Sequence, residues 1–131
     1  MKTVLVTGFN GFFGSNLIPE LEKKFNIIGI SRSKYSGVKI KQITCDISKI
    51  SKINPKEKIS TIIHLAALTD VNFCQNNPEK AFINNIQGTR EILEFARRKD
   101  SNVIFVSTAH VFGKIKKNPI RENHEKNPIS V

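Results

Sequence analysis

Gly8, Gly11 and Gly14 recur at three-residue spacing inside Thr7-Gly8-Phe9-Asn10-Gly11-Phe12-Phe13-Gly14, directly after the apolar run Thr3–Val6 and before the amphipathic stretch Phe13–Lys24. A strand ending in such a turn supplies a tight reversal, a point where backbone approaches a pyrophosphate, and a close helix–strand contact. The free N–H groups and positive dipole end of the next helix then favour a diphosphate. Glycines could serve only as turns, but their position between a predicted strand and a predicted helix is the context that gives the spacing meaning. The chemistry implied is the holding of a dinucleotide by Gly8, Phe9, Asn10, Gly11, Phe12, Phe13 and Gly14.

The end of the second apolar run bears on which dinucleotide. An acidic residue there suits the ribose hydroxyls of NAD, and a basic one suits the 2′-phosphate of NADP. This chain reads Gly29-Ile30-Ser31-Arg32-Ser33, with no carboxylate near. Arg32 is able to pair with a phosphate and Ser31 to donate to it, so NADP is expected and NAD remains possible; the alternative is that Arg32 is a solvated loop residue. After the third run, Asp46-Ile47 is placed to meet the adenine amino group, or else Asp46 caps the next segment.

The elements that must position these residues are visible as an alternation. Apolar runs at Thr3–Val6, Ile27–Ile30, Ile40–Ile43, Ile59–Leu65 and Val103–Val106 are separated by longer stretches, among them Phe13–Lys24 and Pro78–Lys99. Nearly unbroken Val/Ile/Leu strands with helices between them predict a parallel sheet covered on both faces, an α/β chain. Phe82, Ile86, Ile92, Leu93 and Ala96 approximate one helical stripe, with Pro78 in the first turn. Pro19, inside the first helix, removes a backbone donor and predicts a kink or a shorter helix. From about Gly113 onward, Lys, Asn, Pro and Glu without periodicity read as a loop.

Composition bounds the rest. With 131 residues, 39% of them hydrophobic, the chain has material for one core and one domain, residues 1–131. The net charge of +10 is spread along the chain in short runs such as Arg97-Arg98-Lys99 and Lys116-Lys117. That reads as a lysine-rich solvated surface rather than a nucleic-acid stripe, and it favours polyanionic ligands. Cys45 and Cys74 form no CxxC pair, so neither a disulfide framework nor a metal site is indicated. No run approaches the about 20 apolar residues of a membrane span. A cytoplasmic protein without membrane contact is expected.

With these segments in hand the chain resembles the extended short-chain dehydrogenase/reductase family, the NAD-dependent epimerase/dehydratase superfamily, over residues 3–131. The likeness rests on Thr7–Gly14, His64-Leu65-Ala66-Ala67, Pro78 through Asn85-Ile86-Gln87-Gly88-Thr89, and Val106-Ser107-Thr108-Ala109-His110-Val111-Phe112-Gly113. Ala66-Ala67-Leu68-Thr69-Asp70-Val71-Asn72-Phe73-Cys74 and Ser107-Thr108 look most like the dTDP-4-dehydrorhamnose reductase branch. The resemblance implies a Rossmann-like doubly wound sheet in the order 3-2-1-4-5. It implies that Leu65, Ala66 and Ala67 lie along the cofactor, that Asn85 supports the sheet and active site, and that Thr108 is a catalytic hydroxyl bonded to a reacting carbonyl of a 4-keto nucleotide sugar. His64 is expected to be structural, and His110 to be either a substrate contact or a loop residue.

In this family a Tyr-x-x-x-Lys pair completes the site, the tyrosine giving a proton to the developing alkoxide and the lysine lowering its pKa. The one tyrosine here, Tyr35, comes after the second strand and cannot stand in. The expectation is therefore a cofactor-binding portion that stops before the Tyr-x-x-x-Lys helix, without a C-terminal substrate lobe, and inactive alone. A non-catalytic NADP-binding regulatory or partner subunit, an epimerase/dehydratase fragment and a remnant that binds nothing are the alternatives. The family dimerises through helices corresponding to Pro78–Lys99 and the tyrosine helix, so Phe82, Ile86 or Leu93 are expected to face water unless a homodimer or a partner fragment covers them.

Overall fold

The computed structural model describes residues 1–114 and 118–130. Residues 115–117 and 131, where part of the expected tail loop and the Lys116-Lys117 run fall, lie outside the described residues. The strands are β1 (Thr3–Thr7), β2 (Asn26–Ser31), β3 (Lys41–Thr44), β4 (Ile59–His64) and β5 (Asn102–Phe105), joined by parallel pairing in the order β3-β2-β1-β4-β5. This is the predicted Rossmann-like arrangement. β2, β3 and β5 each begin one residue from the expected place, because an apolar run does not mark where pairing starts.

The double covering arises from the pleat. Successive side chains of β1 point to opposite faces, so Val4 and Val6 join Phe9, Ile18, Ile27 and Ile63 under helix α1 (Phe12–Glu22). Leu5 joins Ile30, Ile62, Ile92 and Phe95 on the other face, beneath helix α4 (Gly88–Lys99) and the 3₁₀ turn Ile47–Lys52. Gly88 makes that second layer tight: a Cβ there would stand 2.7 Å from the Ile47 Cδ1. α1 runs through Pro19 and ends at Glu22, two residues before the expected Lys24.

Pro78–Lys99 is helical throughout but not one α-helix. Helix α2 (Val71–Asn76) precedes helix α3 (Pro78–Ala81), then a π-helical turn (Phe82–Gln87), then α4. A π turn inserts one extra residue and rotates the next helical segment by roughly a quarter turn. The expected single stripe is split: Phe82 and Ile86, before the rotation, are exposed with Ile83, whereas Ile92 and Ala96, after it, are buried with Phe95, and Leu93 faces the outer side of α4. Beyond β5 a 3₁₀ turn (Ala109–Phe112) precedes the tail, whose described residues contain no helix or strand.

Candidate functional site

At the carboxyl ends of the strands the chain forms a groove of about 280 Å³, lined by Gly8, Asn10, Gly11, Ile30, Ser31, Arg32, Ser33, Cys45, Ile47, Leu65, Ala66, Ala67, Leu68 and Asn84. In an open parallel sheet this is where ligands bind, at the point where strand order reverses about β1. Its floor is the glycine turn. Gly8 takes φ +67°, a left-handed conformation that favours glycine, and a Cβ there would meet the Ala66 backbone at 2.9 Å. A Cβ at Gly14 would stand 2.6 Å from the Gly8 and Phe9 carbonyl oxygens, so only hydrogen allows α1 to seat on the turn.

The N-terminus of α1 is built to receive an anion. Its N-cap, Gly11, offers no side-chain hydrogen bond, and the first turn carries no acidic residue. Donors that other helices spend on a capping hydroxyl or carboxylate are therefore left for a ligand, where the helix dipole favours negative charge. The uncapped turn opens onto the groove through Gly11.

A buried hydrogen-bond relay ties the turn to the opposite wall. The Thr89 hydroxyl donates to the Asn85 carbonyl at 2.6 Å, so its oxygen accepts from His64 Nε2 at 3.0 Å. His64 Nδ1 then accepts from the Thr7 hydroxyl at 2.7 Å, and the Thr7 oxygen accepts the N–H groups of Leu65 and Ala66 at 3.2 Å each. Each acceptor fixes the direction of the next bond, which leaves His64 neutral with its proton on Nε2. Burial holds its pKa below the ordinary value. Asn85 continues the wall by clamping the Leu68 backbone, its Oδ1 accepting from the amide N–H at 2.8 Å and its Nδ2 donating to the carbonyl at 2.9 Å.

The expected cofactor residues divide by position. Gly8, Asn10, Gly11, Ser31, Arg32, Ile47, Leu65, Ala66 and Ala67 are brought together on the groove. Phe9 is fully buried and its side chain plugs the core under α1, packed so close to β2 that a Cβ on Gly29 would meet its ring at 2.6 Å. Phe12 and Phe13 are exposed at the start of α1 and Gly14 lies below the turn. Asp46 sits outside the groove lining and caps the 3₁₀ turn, its Oδ1 accepting from the Ser48 amide at 2.9 Å and hydroxyl at 2.7 Å, which holds its carboxyl below the usual range. Ser31 spends its hydroxyl on the Ser33 carbonyl.

Thr108 is exposed beyond β5, where its Oγ1 accepts from the His110 amide at 3.2 Å, capping the 3₁₀ turn. His110 is exposed within that turn. Tyr35 stands on the other side of the sheet order, beside Phe9 with ring centroids 6.4 Å apart. Ile30, Ser33, Cys45, Leu68 and Asn84 line the groove without having been expected. Cys45 and Ser33 adjoin predicted contacts, so a wider window around each strand end would have found them. Among the described residues no group of three His, Cys, Asp or Glu is placed to hold a metal, and no helix is long and apolar enough to cross a membrane.

Known proteins carry the same arrangement. The chain is 34% identical over 139 residues to UDP-glucose 4-epimerase of Lactobacillus helveticus, covering 97% of this chain and 42% of that one. It superposes on UDP-glucose 4-epimerase of Brucella ovis in complex with NAD with a TM-score of 0.88 at 27% identity, covering 99% of this chain and 43% of the other. L-threonine dehydrogenase of Clostridium difficile gives a TM-score of 0.84 at 28% identity, with 99% and 44% covered. The chain thus spans less than half the length of these relatives. Residues 4–131 match the model of the NAD dependent epimerase/dehydratase family, and the chain belongs to that family.

Proposed function

We propose that this chain is the dinucleotide-holding part of a nucleotide-sugar enzyme that moves a hydride at a sugar carbon, with NADP favoured over NAD. The observation that carries the reading is the glycine turn with an uncapped α1 N-terminus facing Ser31 and Arg32 across one groove. A bound nicotinamide would supply the hydride in a reduction, and would take and return it in an epimerisation. The chain's own residues supply position: Gly8 and Gly11 admit the diphosphate, Leu65–Ala67 flank the nicotinamide end, and the His64 relay with Asn85 fixes that wall.

The motifs around Ala66–Cys74 and Ser107-Thr108 favour reduction of a 4-keto sugar such as dTDP-4-dehydrorhamnose. The likeness to a UDP-glucose 4-epimerase favours the second reading, an epimerase that oxidises and re-reduces the same carbon. In both, Thr108 orients a carbonyl and the proton comes from an acid outside these 131 residues, since Tyr35 is their single tyrosine and lies away from the groove's nicotinamide end. General acid catalysis is worth about 10²–10⁴-fold. The chain alone is therefore expected to bind cofactor yet show no NADPH oxidation with 4-keto nucleotide sugars. Turnover that is lost on Thr108→Ala would overturn this reading and require an acid within the chain.

A further inference from the structure

Beyond the ends of β2 and β3 the groove opens into a second recess, lined by Arg32, Thr44, Cys45, Asp46, Lys49, Lys52 and Ile53. Arg32 and Cys45 line both spaces, so the recess continues the groove at its Ser31–Arg32 end. Three cations surround it against one carboxylate. Asp46 is already engaged by Ser48 through Oδ1. Among the described residues Arg32, Lys49 and Lys52, like most cations of the chain, lack a carboxylate within salt-bridge distance, and what sets these three apart is that they line one recess. The cations are also close enough to act on one group: Arg32 and Lys49 both help to hold the Asp46 carboxyl down, after its hydrogen bond to Ser48.

The backbone explains why the lysines gather here. The 3₁₀ turn Ile47–Lys52 is interrupted at Lys49, which takes φ −119° and ψ 15°. Ile47 and Ile50 anchor the turn in the core, so Ser48, Lys49, Ser51 and Lys52 are left to its outer side. Excess positive charge beside a nucleotide groove calls for a ligand that brings a further anion. A phosphomonoester carries about −1.5 to −2 at neutral pH, which two or three side-chain cations match.

We propose that this recess is the seat of a phosphomonoester on the adenosine ribose, the 2′-phosphate of NADP, with Lys49 and Lys52 completing a clamp begun by Arg32. The inference rests on the dinucleotide reading above and extends it to two lysines outside the expected strand-end contact. A charge-assisted contact carries about tenfold in affinity.

Calorimetry of the full chain with NADPH and NADH tests the seat, using wild type, Lys49→Gln/Lys52→Gln, and Lys2→Gln/Lys24→Gln as a variant of equal charge at the opposite end of the sheet. Both pairs are exposed, and thermal melts confirm that each variant folds. The seat requires that Lys49→Gln/Lys52→Gln weaken NADPH about tenfold or more while NADH changes less than about twofold, with the distant pair leaving both nearly unchanged. Equal losses for the two cofactors, or the same loss from the distant pair, would mean general attraction and overturn the seat. Unchanged NADPH affinity in Lys49→Gln/Lys52→Gln, with wild type binding both cofactors, would overturn the seat and leave the groove standing. Wild type binding neither cofactor would overturn the groove and the seat together.

Discussion

β1 and β5 are strands of one sheet with similarly apolar sequences, Thr3-Val4-Leu5-Val6-Thr7 against Asn102-Val103-Ile104-Phe105, and they have opposite fates. Every residue of β1 is buried, Leu5 and Val6 completely, whereas Ile104 and Phe105 are 52% and 55% exposed and Val106 beyond them is 47% exposed. A strand's composition states what it is able to bury; its neighbours decide what it does bury. The covered part of the molecule, from β3 through β1 to the loop after β4, holds the glycine turn and most of the groove, with Asn84 of the π turn on its lining. The open side, from α3 to β5, presents Phe82, Ile86 and Leu93 beside an uncovered sheet edge, and it is there that Thr108 lies.

The difference is broken most strongly at Gly14. A Cβ within 2.6 Å of backbone atoms on both Gly8 and Phe9 has nowhere to go, so Gly14→Ala is expected to cost about 3 kcal/mol and to abolish cofactor binding. Val106→Ser on the open side should stay within about 0.5 kcal/mol of wild type in denaturant titrations. Comparable losses at the two positions would mean that β5 is covered in solution.

The next largest effect is expected on the exposed helical face. Phe82, Ile86 and Leu93 form apolar surface of the kind that drives association. Light scattering should show the isolated chain self-associating, and Phe82→Ser/Leu93→Lys should shift it to monomer, weakening association by about 2 kcal/mol or more without lowering Tm. A monodisperse wild-type monomer that binds no hydrophobic dye would contradict the open-side description.

The smallest expected effect comes from His64. Its folded pKa lies below the unfolded value of about 6.5, so between the two the unfolded chain holds the extra proton. Stability is then fully present above about pH 6.5 and falls as the pH drops, by at most about 1.4 kcal/mol per pH unit for one proton. Melts at pH 7.5 and 5.5 should show this loss in wild type and a flatter response in His64→Gln; an equal slope in both would place the proton uptake elsewhere.

How far the sequence foretold this differs by region for physical reasons. The β1 turn was legible because three glycines meet three separate steric demands, and the parallel sheet was legible in doubly apolar runs between helices. The 3₁₀ turn Ile47–Lys52 was hidden, since two apolar residues among Ser and Lys do not distinguish a short helix from a loop. The π turn was invisible because Phe82–Ala96 satisfies a 3.6-residue period by type alone, and only the extra residue in the turn separates Ile92 from Phe82 and Ile86. At Asp46 the sequence allowed an adenine contact or a cap, and the cap is the one formed with Ser48. At Phe9 a place in the motif suggested contact with the ligand, while its bulk fits the space left by Gly29.

The groove between the glycine turn, the ends of β2 and β3 and the loop after β4 is proposed to hold a dinucleotide on this chain alone. Thermal unfolding of the isolated chain with and without NADPH tests it most directly. At a free concentration about 100 times its dissociation constant, a ligand that binds only the folded chain adds about 2.7 kcal/mol of stability, with a matching rise in Tm. That rise is expected in wild type and is lost in Gly8→Val, whose side chain would meet the Ala66 backbone. No rise in wild type with NADPH or NADH, at concentrations up to the millimolar range, would contradict it.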